Sequence, residues 1–506
     1  SQNQNEFNVA HYIEIPVPLD VDRFSQAIDD TLSQVDTVNS LYQEMEEGVQ
    51  QLFIPESKLY KVLEVLDFTQ HENAMSEALQ WMQADLSQTI LLSGDQHRFR
   101  HCLIKLMKED QVHWLWYQRY HHIDLDGYSF NRISDNIIRR YKALLESSES
   151  PLEETFEVTP FTQVIEEFQA YEASDAYQED KAFWRDYVAD LPLAVPLSTG
   201  SGDATKDTTS PNALRVEELI SDSFFHALSF NRPEKPFAKL MDAEVAMACV
   251  FAYLYLHSDQ KEVCLGFPFM RRLGSCALNA MGPVVNVLPL KLGLSDDMSL
   301  AQVTKTMNKA IRQIRPRQRY EAQQIQRDNG LVGEALFGPI LNYKPFMTPL
   351  EISGKRLDNH LLSAGPIDDI EFSPSVRKGA IYLEISANKE RYSARSLALH
   401  FARFQHVLTQ IQQNPELTLG QMSLLPETEV SQLKAWGQGE SQVRHESDFC
   451  VLDNLIQVTE QAPNKLALIY KNQQWSFAQL RQAVDTRAQK LMSLGVNKGD
   501  VVAVAL

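Results

Sequence analysis

Residues 117–130 read YQRYHHIDLDGYSF, and any fold must account for two adjacent histidines followed closely by an Asp-Gly pair. The stretch completes a strand. RFRHCLIKLM (98–107) and VHWLWYQRYHH (112–122) are rich in β-branched and aromatic residues and are separated by the charged turn KEDQ. Side chains alternate along a strand, so Trp114, Trp116, Gln118, Tyr120 and His122 share one face, and His113, Leu115, Tyr117, Arg119 and His121 the other. Aromatics on both faces predict a strand covered on both sides. Histidines on opposite faces are poorly placed to bind one ion together, and no third ligand stands at metal-site spacing, so no metal centre is expected. The residues alone leave the pair open between a strand end bonded to backbone and a group poised for proton chemistry, since imidazole titrates near neutrality. Asp126 is likewise open between a helix N-cap and a buried acid that holds its surroundings, with Gly127 permitting a tight turn.

Outward from this stretch the pattern is mixed. SFNRISDNIIRRYKALLE (129–146) puts Phe130, Ile133, Ile137, Tyr141 and Leu144 on one helical face. Upstream, NVAHYIEIPV is strand-like, VDRFSQAIDDTLSQV is helical with Val21, Phe24, Ile28, Leu32 and Val35 in phase, and ENAMSEALQWMQADLSQ predicts another helix. Downstream, a helical stretch over 162–191 gives way to PLSTGSGDATKDTTSPN (196–212), which reads as an exposed loop. The mixed texture then resumes, with helices at 236–257 and 299–316 and strands at EVCLGFPF, PVVNVLPLKL, PILNYKP, DDIEF and IYLEISA. The class is α/β (α+β), in two lobes of similar texture that join near 175–215. LPETEVSQLKAWGQGESQVRHES (425–447) is polar and poor in periodicity, as an interdomain linker is. The remainder reads as helix, hairpin, helix and a final apolar strand, the start of a further, truncated unit.

The totals agree with a multidomain globular protein: 506 residues exceed one usual core. A formal charge of -20 argues against a nucleic-acid partner. No apolar run approaches the roughly 20 residues that span a bilayer, so no membrane partner is expected. Residues 1–15 lack a signal-peptide pattern, and Cys102, Cys249, Cys264, Cys276 and Cys450 are scattered without CxxC, which fits free thiols in the cytoplasm.

HHIDLDG resembles the HHxxxDG signature of the condensation domains of nonribosomal peptide synthetases. MGPVVNVLPL (281–290) resembles the family's G-x-x-V-N motif, and RQRYEAQQIQRDNG and LFGPILNYKPF the motifs that flank the next strand. FMRRLGSCALNAMGPVVNVLPL and RYHHIDLDGYSF look most like the enterobactin-type members. The family's first motif should precede residue 1. The resemblance implies a two-lobed, V-shaped, chloramphenicol acetyltransferase-like pseudo-dimer, with an N-lobe over 1–178, a C-lobe over 179–425 and a linker over 426–447. Residues 448–506, with WSFAQL (475–480), resemble the start of an adenylation domain.

The implied reaction joins a donor acyl thioester, carrying an aryl or other nonpeptidyl acyl group, to the amine of an aminoacyl thioester. Both ride on phosphopantetheine arms of carrier domains, an upstream donor carrier acting in trans and a downstream carrier in the same full-length, monomeric protein. The condensation domain itself is expected to hold no cofactor, while ATP and magnesium belong to a complete adenylation domain. Carried onto this chain, His122 is the catalytic histidine, as base or positioner, and His121 supports the strand. Asp126 is structural and pairs with Arg272 or, failing that, Arg271. Gly127 offers a backbone N–H to the reacting thioester, Tyr128 and Ser129 line the channel, and Ser363 and Gly365 of SAGPIDD lie near the tunnel. The rivals are a coenzyme A-dependent HxxxDG acyltransferase and a silent carrier-docking platform. A heterocyclising relative would carry carboxylates in place of the histidines.

Overall fold

The computed structural model describes residues 4–46, 48–54, 62–92, 97–146, 158–192, 195, 197–198, 213–221, 224–225, 228, 241–258, 260–344, 350–377, 380–438 and 451–504. Most of the loop expected over 196–212, residues 439–450 of the expected linker and Cys450 lie outside these. The chain divides into two units, Ser1–Pro426 and Glu427–Leu506.

The first unit opens with β1 (Asn8–Ile15), α1 (Val21–Leu32), the hairpin β2 (Ser40–Met45) and β3 (Gly48–Phe53), β4 (Leu63–Asp67), α2 (Ala74–Leu86), β5 (Phe99–Lys108), β6 (Gln111–His121) and α3 (Gly127–Glu146). Glu109 and Asp110 both take positive φ, 53° and 60°, the conformation of a two-residue type I′ turn, which is why KEDQ closes the β5–β6 hairpin. Alternation along β6 then sorts the core. Trp114, Trp116 and Tyr120 pack with Phe24 and Ile28 of α1 and with Ile133 and Ile137 of α3. Leu115 and Tyr117 pack on the other face with Ala78, Met82 and Leu86 of α2.

The chain continues through α4 (Phe161–Glu172), α5 (Asp175–Val188), β7 (Ala213–Ser221), α6 (Asp242–His257), β8 (Glu262–Phe269), β9 (Asn286–Gly293), α7 (Leu300–Ile314), α8 (Ala322–Asp328), β10 (Ile340–Leu341), β11 (Glu351–Ile352), β12 (Lys355–Arg356), β13 (Asp358–Ala364), β14 (Ile370–Arg377), β15 (Ala380–Asn388) and α9 (Ala394–Gln413). A second sheet has the order β7-β15-β14-β10-β8-β9. Its core is built on α6, where every residue from Val245 to Leu254 is buried, the all-round apolar pattern of a helix enclosed by other elements.

The first sheet has the order β13-β1-β6-β5-β4. Its edge strand β13 comes from the segment expected to belong wholly to the second lobe, and Leu350, Ile352 and Leu357 beside it pack into the α1–α3 core. Trp184 and Val188 of α5, both beyond 179, pack into the core of the second sheet, and Val164 of α4 packs on Ala277, Ala280 and Val284. The packing thus lies in the second core by Trp184 and returns to the first sheet for one strand, β13. A period-two pattern marks a strand but not the sheet it joins, so the division expected at 178/179 does not describe this exchange.

The second unit holds α10 (Glu427–Gly437), α11 (Val451–Gln461), the hairpin β16 (Leu466–Tyr470) and β17 (Gln473–Ser476), and α12 (Phe477–Ser493). The first part of the expected linker is therefore helical. None of the α10 residues is buried, and its apolar residues Val430, Leu433 and Trp436 are too few in a polar stretch to set a strong helical period. Residues 501–504 of the expected final strand are not in a strand.

Candidate active site

β6 ends at His121, and His122 begins a turn that leads into α3. The His121 N–H donates to Arg98 O at 3.0 Å and the His122 N–H to Phe7 O at 2.8 Å. Nδ1 of His121 accepts the backbone N–H of Ile123 at 3.1 Å, which assigns the proton of the neutral ring to Nε2. Burial, reinforced by the Arg98 guanidinium, pulls the His121 pKa down to about 4. His121 is thus a neutral brace for the turn. His122 is half-buried, and Gly365, just beyond β13, lies against its ring: a methyl at Gly365 would stand 2.7 Å from Cδ2 and 3.5 Å from Nε2.

Asp126 fills both of the roles its sequence left open. Its Oδ1 accepts Ser129 N–H at 2.9 Å and Ser129 Oγ at 2.8 Å, capping α3. Its Oδ2 accepts Arg272 Nη2 at 2.8 Å and Val284 N–H at 3.1 Å. The Arg272 side chain is 0% exposed. Besides Asp126 it donates to Ser129 Oγ and Gly282 O at 2.9 Å, and through Nη1 to Ala277 O and Ala280 O at 2.6 and 2.8 Å. A planar guanidinium supplies this fan of donors, and a buried carboxylate needs such a partner. Arg271 takes the other side of the same segment. Its Nε donates to Val284 O at 2.5 Å and its guanidinium lies 4.5 Å over the Phe168 ring; burial lowers its pKa.

Gly127 is the first residue of α3. It is not among the glycines with positive φ, so no tight turn demands it; a methyl there would meet nothing within 4 Å. Its N–H belongs to the first helical turn, which lacks intrahelical acceptors. Ser129 departs from expectation: it is 0% exposed, and its hydroxyl is engaged by Asp126, Arg272 and Gly282, so it joins the bridge instead of lining a channel. Tyr128 is half-buried, donates to Leu278 O at 3.1 Å and lies under Arg272 at 4.5 Å. Ser363 is 7% exposed, and its Oγ accepts the Gly365 N–H at 3.3 Å.

Sequence reasoning missed a second buried ion pair in the same loop. Asp124 receives Arg98 Nε and Nη2, each at 2.9 Å, with side chains 1% and 2% exposed. Arg98 also donates to Ser40 O at 2.8 Å and lies over the Tyr42 ring at 4.8 Å. The only available signal was an Asp inside an otherwise apolar IDL triplet. Among the described residues no group of three His, Cys, Asp or Glu side chains is placed to hold a metal ion, and no helix is long and apolar enough to cross a membrane.

Comparison with known proteins places this geometry. Over 504 residues the chain is 42% identical to vanchrobactin synthetase VabF of Vibrio anguillarum. Over 510 residues it is 32% identical to enterobactin synthase component F of Escherichia coli O157:H7. Both alignments take in 100% of this chain but only 17% and 38% of those relatives. Among solved structures, a mutant starter condensation domain of rhizomide synthetase RzmA in complex with C8-CoA matches with a TM-score of 0.71 at 26% identity, covering 83% of this chain and 93% of that one. The first condensation domain of the calcium-dependent antibiotic synthetase, with a substrate analogue, shares the fold at a TM-score of 0.71 and 24% identity, covering 84% and 95%. The profile of the family described as "Condensation domain" matches residues 1–434: the chain belongs to the condensation domains of nonribosomal peptide synthetases.

Proposed function

We propose that the first unit forms an amide between a donor acyl thioester and the α-amine of an aminoacyl thioester, each carried on the phosphopantetheine arm of a carrier domain. The observation that supports this reading is a half-buried His122 at the head of a loop locked by the Asp126–Arg272 bridge, with the first turn of α3 left open at Gly127. An α-amine with a pKa of roughly 8 is largely protonated at neutral pH, and only its neutral form attacks. His122 accepts a proton from the amine as its nitrogen bonds to the thioester carbon, or hydrogen-bonds the amine and orients it. The Gly127 N–H faces the oxygen that gains charge, and the missing Cβ leaves room for the approach. Collapse of the intermediate breaks the carbon–sulfur bond, and the departing sulfur takes the proton.

The donor is an aryl or other nonpeptidyl acyl group delivered in trans, and the acceptor carrier lies downstream in the same full-length, monomeric protein. The second unit is the start of an adenylation domain; ATP and magnesium belong to that domain when complete. The reaction runs in the cytoplasm, a reading supported by the free Cys102, Cys249, Cys264 and Cys276. A second reading of the donor, as a coenzyme A thioester, is favoured by the C8-CoA bound to the rhizomide relative.

The test mixes the protein with one carrier bearing the acyl donor and another bearing the aminoacyl group, and looks for the amide by mass spectrometry. The expected result is product with the intact protein and turnover about 10²–10⁴-fold lower with His122→Ala. No amide from the intact protein, or undiminished product from His122→Ala, overturns the reading. Supplying the acyl group on coenzyme A in place of the donor carrier separates the two donors.

A further inference from the structure

β13 reaches the catalytic loop from the second half of the chain and ends against its histidine. The strand pairs with β1 in a register that sets Val9 opposite Ala364 and Ala10 opposite Ser363, and slips by one residue at Leu362. Such a bulge bends the strand and re-aims the residues beyond it. The chain then turns at Gly365, whose φ of +97° is one that L side chains rarely adopt. A methyl on Gly365 would stand 2.7 Å from His122 Cδ2 and 3.5 Å from both His122 Nε2 and Val9 Cγ1. Carbon atoms in contact rest at about 3.5–4.0 Å, so the imidazole would have to retreat by about 1 Å.

We infer that Gly365 is a positioning residue for the reaction: by lacking a Cβ it lets the end of β13 form the wall that fixes the His122 imidazole. This rests on the role given to His122 above. Backbone strain and ring contact are separable, because Gly333 also has positive φ, +88°, yet a methyl there would meet nothing within 4 Å. Gly333→Ala therefore carries the strain of a positive-φ alanine without the contact.

The experiment compares Gly365→Ala, Gly333→Ala and His122→Ala in the two-carrier assay. Misplacing a reacting group by about 1 Å costs on the order of 100-fold. Gly365→Ala is expected to lose that much in kcat with little change in KM for either carrier, and Gly333→Ala to match the unmodified protein. Full turnover by Gly365→Ala, or equal losses in the two glycine variants, overturns the inference. If His122→Ala is itself fully active, the functional reading fails whatever Gly365 does.

A double-mutant cycle for stability reads the contact without turnover. Gly365→Ala should destabilise less in a His122→Ala background, where no ring is displaced. The same loss in both backgrounds overturns the inference even if Gly365→Ala alone folds too poorly to assay.

Discussion

Strand alternation predicts that His121 and His122 have different surroundings, and the structure gives each a distinct place. His121 is neutral, buried and fixed by Ile123 N–H; His122 is half-buried against Gly365. Asp124 and Arg98 form the other fixed point of the turn. Because both are almost fully enclosed, removing one charge strands the other, whereas replacing both with apolar residues of similar size does not. Asp124→Asn should destabilise the first unit by about 3–5 kcal/mol, and Asp124→Leu with Arg98→Met should recover most of that loss. Urea unfolding of the single and double variants checks both statements. A double variant no more stable than Asp124→Asn would show that the loop needs the hydrogen bonds as such.

Between elements, Asp126 and Arg272 join the start of α3 to the segment before β9. Lysine keeps the charge but offers one ammonium where Arg272 uses two arms for five contacts. Arg272→Lys should therefore lower kcat on the order of 100-fold, measured as amide formed per minute, while Asp126→Ala, which also removes the α3 cap, should cost more in stability than Arg272→Lys. The β5–β6 turn predicts the opposite sign. Glu109 and Asp110 sit at positive φ, where Asn-Gly is favoured. Glu109→Asn with Asp110→Gly should raise stability by roughly 1 kcal/mol, because relief of about 1–2 kcal/mol of left-handed strain outweighs glycine's entropic cost of about 0.5–1 kcal/mol, and leave turnover unchanged, as read from unfolding midpoints and the two-carrier assay.

For the whole molecule, acid is the condition its buried histidines resist least. Burial lowers the pKa of His11 and His101 to about 3, and of His121 and His400 to about 4, from an ordinary 6.5. Between about 6.5 and 4 the unfolded chain binds these protons and the folded chain does not. Stability should fall as pH drops through that window, by up to roughly 3 kcal/mol for His121 alone. Urea midpoints measured from pH 7.5 to 4.5 should decline steadily, and His121→Gln should flatten the slope; an unchanged slope would show that His121 is not neutral in the folded state.

Local features were legible in the residues alone. Alternation along 112–122 sorted the two faces of β6, the phase of Phe130, Ile133 and Ile137 marked α3, and HHIDLDG with MGPVVNVLPL named the family. The pairing of Asp126 with Arg272, or failing that Arg271, comes from the family resemblance; the residues alone leave Asp126 open between a helix cap and a buried acid. The folded chain was needed to show that β13 joins the first sheet, that Ser129 is enclosed in the bridge, that Asp124 is held by Arg98, and that Gly365 abuts His122. These contacts join residues distant in the chain or brought together only by a turn, and periodicity records which way a side chain points but not what meets it there.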